Sequence, residues 1–156
     1  KINHITDVFM VRKLYEAAER GVPVDLLVRG NCSLFTELPE LNGNLRIRGI
    51  IDRYLEHSRI FIFAAGGIDK TFIGSADWMP RNLDNRIEVI TPVYDPEIKA
   101  DLRQVVEYGL NDTLQGRIVD GTGENRMPDQ TEEGVFRSQE ALYNYYLSKE
   151  EENTHK

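Results

Sequence analysis

The sequence predicts an α/β domain with a mixed β-sheet flanked by helices, because helical and strand periodicities alternate along the chain. Its 156 residues are enough for one domain with a proper core, and 40% of them are apolar, as in ordinary globular proteins. No apolar run approaches the length of a membrane span. We therefore expect helices packed on a sheet in a globular domain.

Two segments have the apolar spacing of amphipathic helices. Residues 7–20 place apolar side chains every three or four positions, with Asp7 as a possible N-cap and Gly21 at the end. Residues 96–110 repeat the pattern after Asp95, and a proline occupies the first helical position. We predict one helix over each segment.

Short runs rich in β-branched and aromatic residues predict strands. The predicted strands are Val22–Val28, Arg46–Ile51, Ile60–Ala64, Thr71–Gly74 and Arg86–Thr91. The third and fourth are joined around Gly66 and Gly67, which favours a hairpin. Pro92 is expected to end the last strand.

The C-terminal part differs in composition from the rest. Residues 120–134 are polar and rich in Gly, Asp and Glu, which predicts a mobile loop. A last helix is predicted over residues 138–148, followed by a disordered tail from residue 150. We therefore divide the domain into residues 1–120 and an appended 121–156, which comprises the loop, the helix and the tail.

Charge and cysteine content restrict the possible partners and location. The net charge of −7 arises entirely from residues 91–156, and it argues against a general nucleic-acid binder. The single cysteine, Cys32, excludes an internal disulfide and fits a reducing, cytoplasmic compartment. Because the first residue is Lys1 rather than methionine, we interpret the chain as part of a longer protein.

A histidine and a cation stand two residues apart at the start of the third predicted strand, and we expect His57 to open this strand near Arg29. In an extended strand, His57 and Arg59 would point to the same face and could meet one ligand together. A histidine that titrates near neutral pH, beside a permanent cation, suits chemistry on a phosphoryl group. The alternative is that His57 is a partly buried structural residue at a strand start.

The stretch from His57 to Asp77 resembles a diverged half of the phospholipase D-like fold. That superfamily carries a His-x-Lys pair, then an aspartate, then a Gly-Ser corner ending in asparagine. Here Arg59 replaces the lysine, Ala64 stands at the place of the acid, and Asp77 replaces the asparagine. A phosphodiesterase or nuclease that uses His57 on a diester is therefore one possible reading.

Longer segments resemble the C-terminal catalytic domain of bacterial polyphosphate kinases over roughly residues 1–120. They are VPVDLLVRGNCSL, DRYLEHSRIF and IGSADWMPRNLDNRIEVITP, in this order. The resemblance implies an enzyme that reversibly transfers the terminal phosphate of ATP to polyphosphate. In that family two phospholipase D-like domains form the active site, and a histidine on the first of them becomes phosphorylated.

The resemblance also implies roles for two residues of this chain. Arg29 matches the arginine that contacts a nucleotide phosphate, and His57 matches a histidine that contacts the nucleotide and assists catalysis. The family's Mg²⁺ sites lie on the upstream domain, so no metal ligand is expected here. As further phosphate contacts, the residues themselves offer Arg59, Lys70, Arg81 and Asn82.

The expected partners follow from the same resemblance. They are ATP or ADP, inorganic polyphosphate, and the upstream domains of the same polypeptide, in a homo-oligomeric enzyme that binds no nucleic acid. Membrane association of the full enzyme is left open, as is the reading of the chain as a non-catalytic nucleotide-binding module. Because the upstream domain carries the histidine to be phosphorylated, we expect this chain alone to be inactive.

Overall fold

A computed structural model describes residues 1–129 and 134–154. The helices are α1 (Val8–Glu19), α2 (Pro80–Asn85), α3 (Pro96–Leu110) and α4 (Ser138–Thr154). The strands are β1 (Val24–Leu27), β2 (Leu45–Ile50), β3 (Ile60–Phe63), β4 (Lys70–Gly74), β5 (Ile90–Val93) and β6 (Gly116–Ile118). Short 3₁₀ turns occupy Pro39–Leu41 and Ala65–Gly67. Among these residues, no helix has the length and apolar character needed to cross a membrane.

The strands form two three-stranded sheets. In the first, β2 lies between a parallel β1 and an antiparallel β6. In the second, β3, β4 and β5 are antiparallel in chain order. Both parallel and antiparallel pairs occur, and helices accompany the sheets, so the predicted α/β fold class with mixed pairing is confirmed.

The segment before α1 joins the two sheets. Ile2 forms a parallel bridge with Val28, directly after β1, and the amide of Ile60 in β3 donates to the carbonyl of Lys1 at 2.9 Å. Ile5 bridges both Cys32 and Trp78. The first six residues therefore bring the end of β1 close to the start of β3.

The core lies beneath this junction. It consists of Ile2, Ile5, Ala18, Val28, Leu34, Leu41, Leu45, Ile47 and Phe61. α1 packs Val11 and Leu14 against it, and Phe61 stacks on Trp78 with ring centroids 5.4 Å apart. Each fully buried aliphatic side chain contributes about 1.5–3 kcal/mol relative to an exposed one. This packing fixes the position of the N-terminal segment relative to both sheets.

Both helices predicted from N-terminal caps are confirmed. The Asp7 side chain accepts a hydrogen bond from the amide of Met10 at 2.9 Å, and α1 begins at the next residue after this cap. Asp95 accepts from the amides of Glu97 and Ile98, at 2.9 and 3.0 Å, ahead of α3. These bonds satisfy backbone donors that have no partner within the helix.

The last predicted strand is wrong in position. It was expected over residues 86–91 and to end at Pro92, but β5 covers Ile90–Val93 and Pro92 pairs with Phe72 inside it. β5 pairs with β4 and stands at the edge of its sheet, where a residue without an amide hydrogen is tolerated. Helix α2 and strand β6 were not predicted, because each is too short to show a period.

The hairpin between β3 and β4 is confirmed, and Gly66 and Gly67 adopt φ angles of 73° and 101° at its turn. The prediction of a disordered tail from residue 150 is wrong up to residue 154, because α4 continues to that residue. Lys149, near the C-terminal end of α4, forms an ion pair with Asp101 of α3 at 2.5 Å. Residues 130–133 and 155–156, on which parts of the loop and tail predictions fall, lie outside the described residues.

Candidate functional site

The candidate site lies where β1 ends and β3 begins, on either side of the N-terminal segment. The amide of Arg29 donates to the carbonyl of Ile2 at 3.3 Å, and the amide of Gly30 donates to the carbonyl of Asn3 at 2.8 Å. A side chain at position 30 would collide with the imidazole of His4. Glycine at this position therefore permits the close approach that brings Arg29 beside Asn3.

Arg29 is half-buried and is held on one side. Its Nε donates to Oδ1 of Asn3 at 3.2 Å. In the part of the chain that the structure describes, its two terminal nitrogens make no hydrogen bond. Four N–H donors of this guanidinium are thus free for a ligand, and they include the pair that binds phosphate oxygens in parallel.

Asn3 is fully buried and is tied to Asp77. Its backbone amide donates to Oδ1 of Asp77 at 3.0 Å, and the backbone amide of His4 donates to the same oxygen at 3.3 Å. Arg59 completes the arrangement with two hydrogen bonds, from Nε to Oδ1 at 3.2 Å and from Nη2 to Oδ2 at 3.0 Å. Arg29, Asn3, Asp77 and Arg59 therefore form one continuous chain of contacts.

The Asp77 carboxylate remains ionised within this chain of contacts. Burial acts to raise its pKa, but the hydrogen bonds from Arg59 and from the amides of Asn3 and His4, with the charge of Arg59, outweigh burial. The pKa of Asp77 is consequently held below its usual value. A permanent negative charge here neutralises Arg59, whereas no carboxylate pairs with Arg29 among the described residues.

His57 lies in the loop before β3 and is exposed. The expectation that it opens a strand is wrong, because β3 begins three residues later at Ile60. Its carbonyl accepts a hydrogen bond from Nη1 of Arg59 at 3.2 Å, so the backbone of His57 is fixed to the same chain of contacts. The guanidinium of Arg59 turns towards Asp77 in this structure.

A second polar cluster follows the end of β4. The hydroxyl of Ser75 donates to the carboxylate of Glu88, and Nδ2 of Asn82 donates to Oε1 of Glu88 at 2.7 Å. Those two bonds are the main cause of the lowered pKa of Glu88. Asn82 is buried, and its Oδ1 has no partner among the described residues. One of the two N–H donors of the Asn82 side chain is thus already used within the protein.

Of the other two suggested phosphate contacts, Lys70 lies apart from His57. Lys70 pairs with Phe63 at the far end of the hairpin, four residues along β4 from Gly74, which is roughly 13 Å along a strand. Arg81 is exposed on α2, beside Asn82. The structure therefore brings together Arg29, Arg59 and the backbone of His57, with Lys70 well separated from them.

Sequence reasoning missed Asn3 and His4. The imidazole Nδ1 of His4 accepts from the amide of Asn31 at 2.9 Å, next to the end of β1. The two polar residues stand between Ile2 and Ile5, both buried, and this interruption of an apolar segment was the available signal. Their contacts lie 26 to 74 residues away in sequence, which no local pattern reveals.

These features define an α/β domain with an arginine-lined edge at the end of β1, where Arg29 offers N–H donors suited to an anion. The comparisons with known proteins identify the family. Residues 1–139 match the family described as polyphosphate kinase C-terminal domain 2, and the chain belongs to this family. Its fold is accordingly the phospholipase D-like α/β fold expected from the resemblance.

Named relatives support the assignment to this family. The chain is 43% identical over 151 residues to a polyphosphate kinase of Klebsiella pneumoniae, covering 97% of this chain and 22% of the relative. It is 46% identical over 130 residues to that of Thermosynechococcus vestitus, covering 82% and 18%. The crystal structure of polyphosphate kinase from Porphyromonas gingivalis superposes with a TM-score of 0.91 at 41% identity, over 96% of this chain and 23% of that one. The chain spans about a fifth of the length of these proteins.

Proposed function

We propose that this chain supplies the nucleotide-phosphate contacts of an ATP–polyphosphate phosphotransferase. The observation that carries the proposal is the state of Arg29, which is held through Nε while its terminal nitrogens have no partner among the described residues. Arg29 is also the residue that matches the family's phosphate-contacting arginine. The relatives named polyphosphate kinase support ATP and polyphosphate as the substrates.

Arg29 is proposed to stabilise the charge that develops during phosphoryl transfer. The transferred phosphoryl group carries charge on its equatorial oxygens, and catalysis depends chiefly on positioning and on electrostatic stabilisation. A guanidinium that offers two parallel N–H donors matches this geometry better than an ammonium group does. The half-buried position of Arg29 strengthens these hydrogen bonds relative to fully solvated ones.

His57 is proposed to contact the nucleotide and to transfer a proton. Its exposure leaves the imidazole accessible to a ligand, while the bond from Arg59 to its carbonyl holds its backbone. A positioned histidine can act as acid or base near neutral pH. The phosphoryl group itself would pass through a histidine on an upstream domain, as the resemblance implies.

Arg59, Lys70, Arg81 and Asn82 take lower rank in this proposal. The Arg59 guanidinium is paired with Asp77, and the Asn82 amide nitrogen is bonded to Glu88. Mg²⁺ is proposed to bind on the upstream domain. Within residues 1–129 and 134–154, no group of three or more potential ligands is placed to hold a metal ion. The complete enzyme is further proposed to be cytoplasmic and homo-oligomeric.

The proposal is tested with the full-length polypeptide that carries this domain. Crystals soaked with a non-hydrolysable ATP analogue should show phosphate oxygens within hydrogen-bond distance of the terminal nitrogens of Arg29, with His57 contacting the nucleotide. The same protein should convert ATP into polyphosphate and ADP. Hydrolysis of bis(p-nitrophenyl) phosphate in place of polyphosphate synthesis would instead support a phosphodiesterase.

A further inference from the structure

We infer that Asn3 is a positioning residue for Arg29, and that Asp77 in turn fixes Asn3. The inference rests on the proposed function of Arg29 in phosphate binding. It assigns a role to a residue in the segment before α1, which lies 26 positions from Arg29 in sequence. Asn3 acts through Arg29 and is not itself expected to touch the substrate.

The contact between Asn3 and Arg29 determines which edge of the guanidinium is available to a ligand. Oδ1 of Asn3 accepts from Nε of Arg29 at 3.2 Å. This bond uses the donor nearest the stem of the side chain and leaves the two terminal nitrogens free. Because the guanidinium is planar and rigid, fixing Nε also fixes the plane in which the terminal N–H groups lie.

The backbone of Asn3 is anchored on two sides. Its amide donates to Oδ1 of Asp77 at 3.0 Å, and its carbonyl accepts from the amide of Gly30 at 2.8 Å. Gly30 directly follows Arg29, so the segment that carries Arg29 also holds the backbone of Asn3 in place. Asp77 is held by two hydrogen bonds from Arg59. The orientation of Arg29 is thereby linked to a buried ion pair.

Stability alone does not account for an asparagine at this position. The side chain is fully buried, and its Nδ2 has no hydrogen-bond partner among the described residues. A buried donor without a partner costs free energy, which an aliphatic side chain of similar size would avoid. Among the described residues, the one hydrogen bond of this side chain is the bond that Oδ1 accepts from Arg29. Orienting Arg29 is therefore the function that the carboxamide performs.

Removal of the Asn3 acceptor should misplace Arg29 without removing its charge. A displacement of about 1 Å in a positioned group can lower a rate by roughly a hundredfold. We therefore expect Asn3→Leu in the full-length enzyme to lower kcat/KM for ATP by roughly ten- to a hundredfold. Its melting temperature should change little, because the variant also removes the unpartnered Nδ2.

A double-mutant cycle tests the inference. The variants are Asn3→Leu, Arg29→Ala and the combination of both, with Asn3→Ala as a second replacement that removes the acceptor if the leucine variant does not fold. Activity, ATP dissociation constant and melting temperature are measured for each. Asn44→Leu is the matched control, since its Nδ2 donates to the carbonyl of Ala18 at 3.1 Å, at the opposite end of β1.

If Asn3 acts through Arg29, the loss of ATP affinity caused by Asn3→Leu should disappear in the Arg29→Ala background. Asn44→Leu should lower stability while leaving activity unchanged. Equal losses from Asn3→Leu in both backgrounds, or normal activity in a folded Asn3→Leu or Asn3→Ala enzyme, would overturn the inference. Full activity of Arg29→Ala would instead refute the proposed function of Arg29, so the two failures are distinguishable.

Discussion

Arg59 and Asp77 form a two-point ion pair, with Nε to Oδ1 at 3.2 Å and Nη2 to Oδ2 at 3.0 Å. The side chains are only 13% and 6% exposed, so this pair is largely shielded from water. The same carboxylate accepts hydrogen bonds from the amides of Asn3 and His4. The pair therefore joins the residue directly before β3 to the N-terminal segment and supports the geometry around Arg29.

Asp77→Ala should destabilise the domain strongly. The change leaves the Arg59 charge and two backbone amides without their partner, and breaking one side of a buried pair costs about 3–5 kcal/mol. The free energy of unfolding is measured by urea denaturation of the 156-residue chain. Asp25→Ala is the matched control, because it breaks the more exposed pair with Arg46 and should cost no more than about 1 kcal/mol. Equal losses from the two variants would contradict the structural role of Asp77.

Acidification should reduce stability through carboxylates whose native pKa is depressed. For Asp77 and Asp112, burial acts to raise the pKa, but hydrogen bonds outweigh it; for Asp52, the hydrogen bond from Arg137 is the main cause of a lowered pKa. Because the native pKa lies below the unfolded value, the unfolded state binds more protons as the pH falls. The stabilisation is fully present above the unfolded pKa of about 3.9 and is lost as the pH falls through the native value.

Urea denaturation between pH 7 and pH 2.5 checks this expectation. The free energy of unfolding should fall once the pH drops below about 4, where unfolded aspartates begin to take up protons. In Asp77→Asn the starting stability should be lower and the decline shallower, since one titrating group is gone. A stability that stays constant down to pH 3 would refute the assignment of depressed pKa values.

Local sequence signals predicted the elements that depend on local contacts. The Asp7 and Asp95 caps act within three residues, and both helices begin where they were predicted. The apolar spacing within β3 and β4 and the glycines between them likewise predicted the hairpin. Edge position, which allows Pro92 inside β5, is a property of the assembled sheet and has no local signal.

The candidate site was predictable only in part, because several of its contacts join residues that are far apart in sequence. Arg29 was predicted from the resemblance of the segment around it, and His57 from that resemblance together with its spacing from Arg59. Asn3 was not, because its role depends on contacts with residues 26 and 74 positions away. The engagement of Arg59 by Asp77 also required the folded structure, since the spacing alone suggested that Arg59 faces the ligand together with His57.

Arg29→Lys should behave very differently from a conservative change in the full-length enzyme. Lysine keeps the positive charge but cannot form two parallel hydrogen bonds, and it lacks the Nε that donates to Asn3. We expect kcat/KM for ATP to fall at least tenfold, with a melting temperature close to that of the parent. Steady-state kinetics and thermal unfolding are measured together. Arg46→Lys is the control and should retain full activity; a similar rate for Arg29→Lys would contradict the phosphate contact.

The 156-residue chain alone should not synthesise polyphosphate. A covalent phosphoenzyme requires a nucleophile, and the resemblance places that histidine on an upstream domain. Incubation of the purified chain with γ-labelled ATP and Mg²⁺ should give neither acid-labile protein-bound phosphate nor polymer, whereas the full-length enzyme should give both. Polymer formation by the chain alone would show that the active site is complete within it.

His57→Ala in the full-length enzyme should lower turnover much more than it weakens ATP binding. Proton transfer by a positioned histidine contributes roughly 10²–10⁴-fold, and an interaction that matters mainly in the transition state affects the rate. The melting temperature should change little, because His57 is exposed and the bond from Arg59 involves its backbone carbonyl, which alanine retains. Turnover, ATP affinity and melting temperature are compared on the same preparation, with Ser58→Ala, an exposed neighbour, as the control. A reduced melting temperature with near-normal turnover in His57→Ala would establish that the residue is structural.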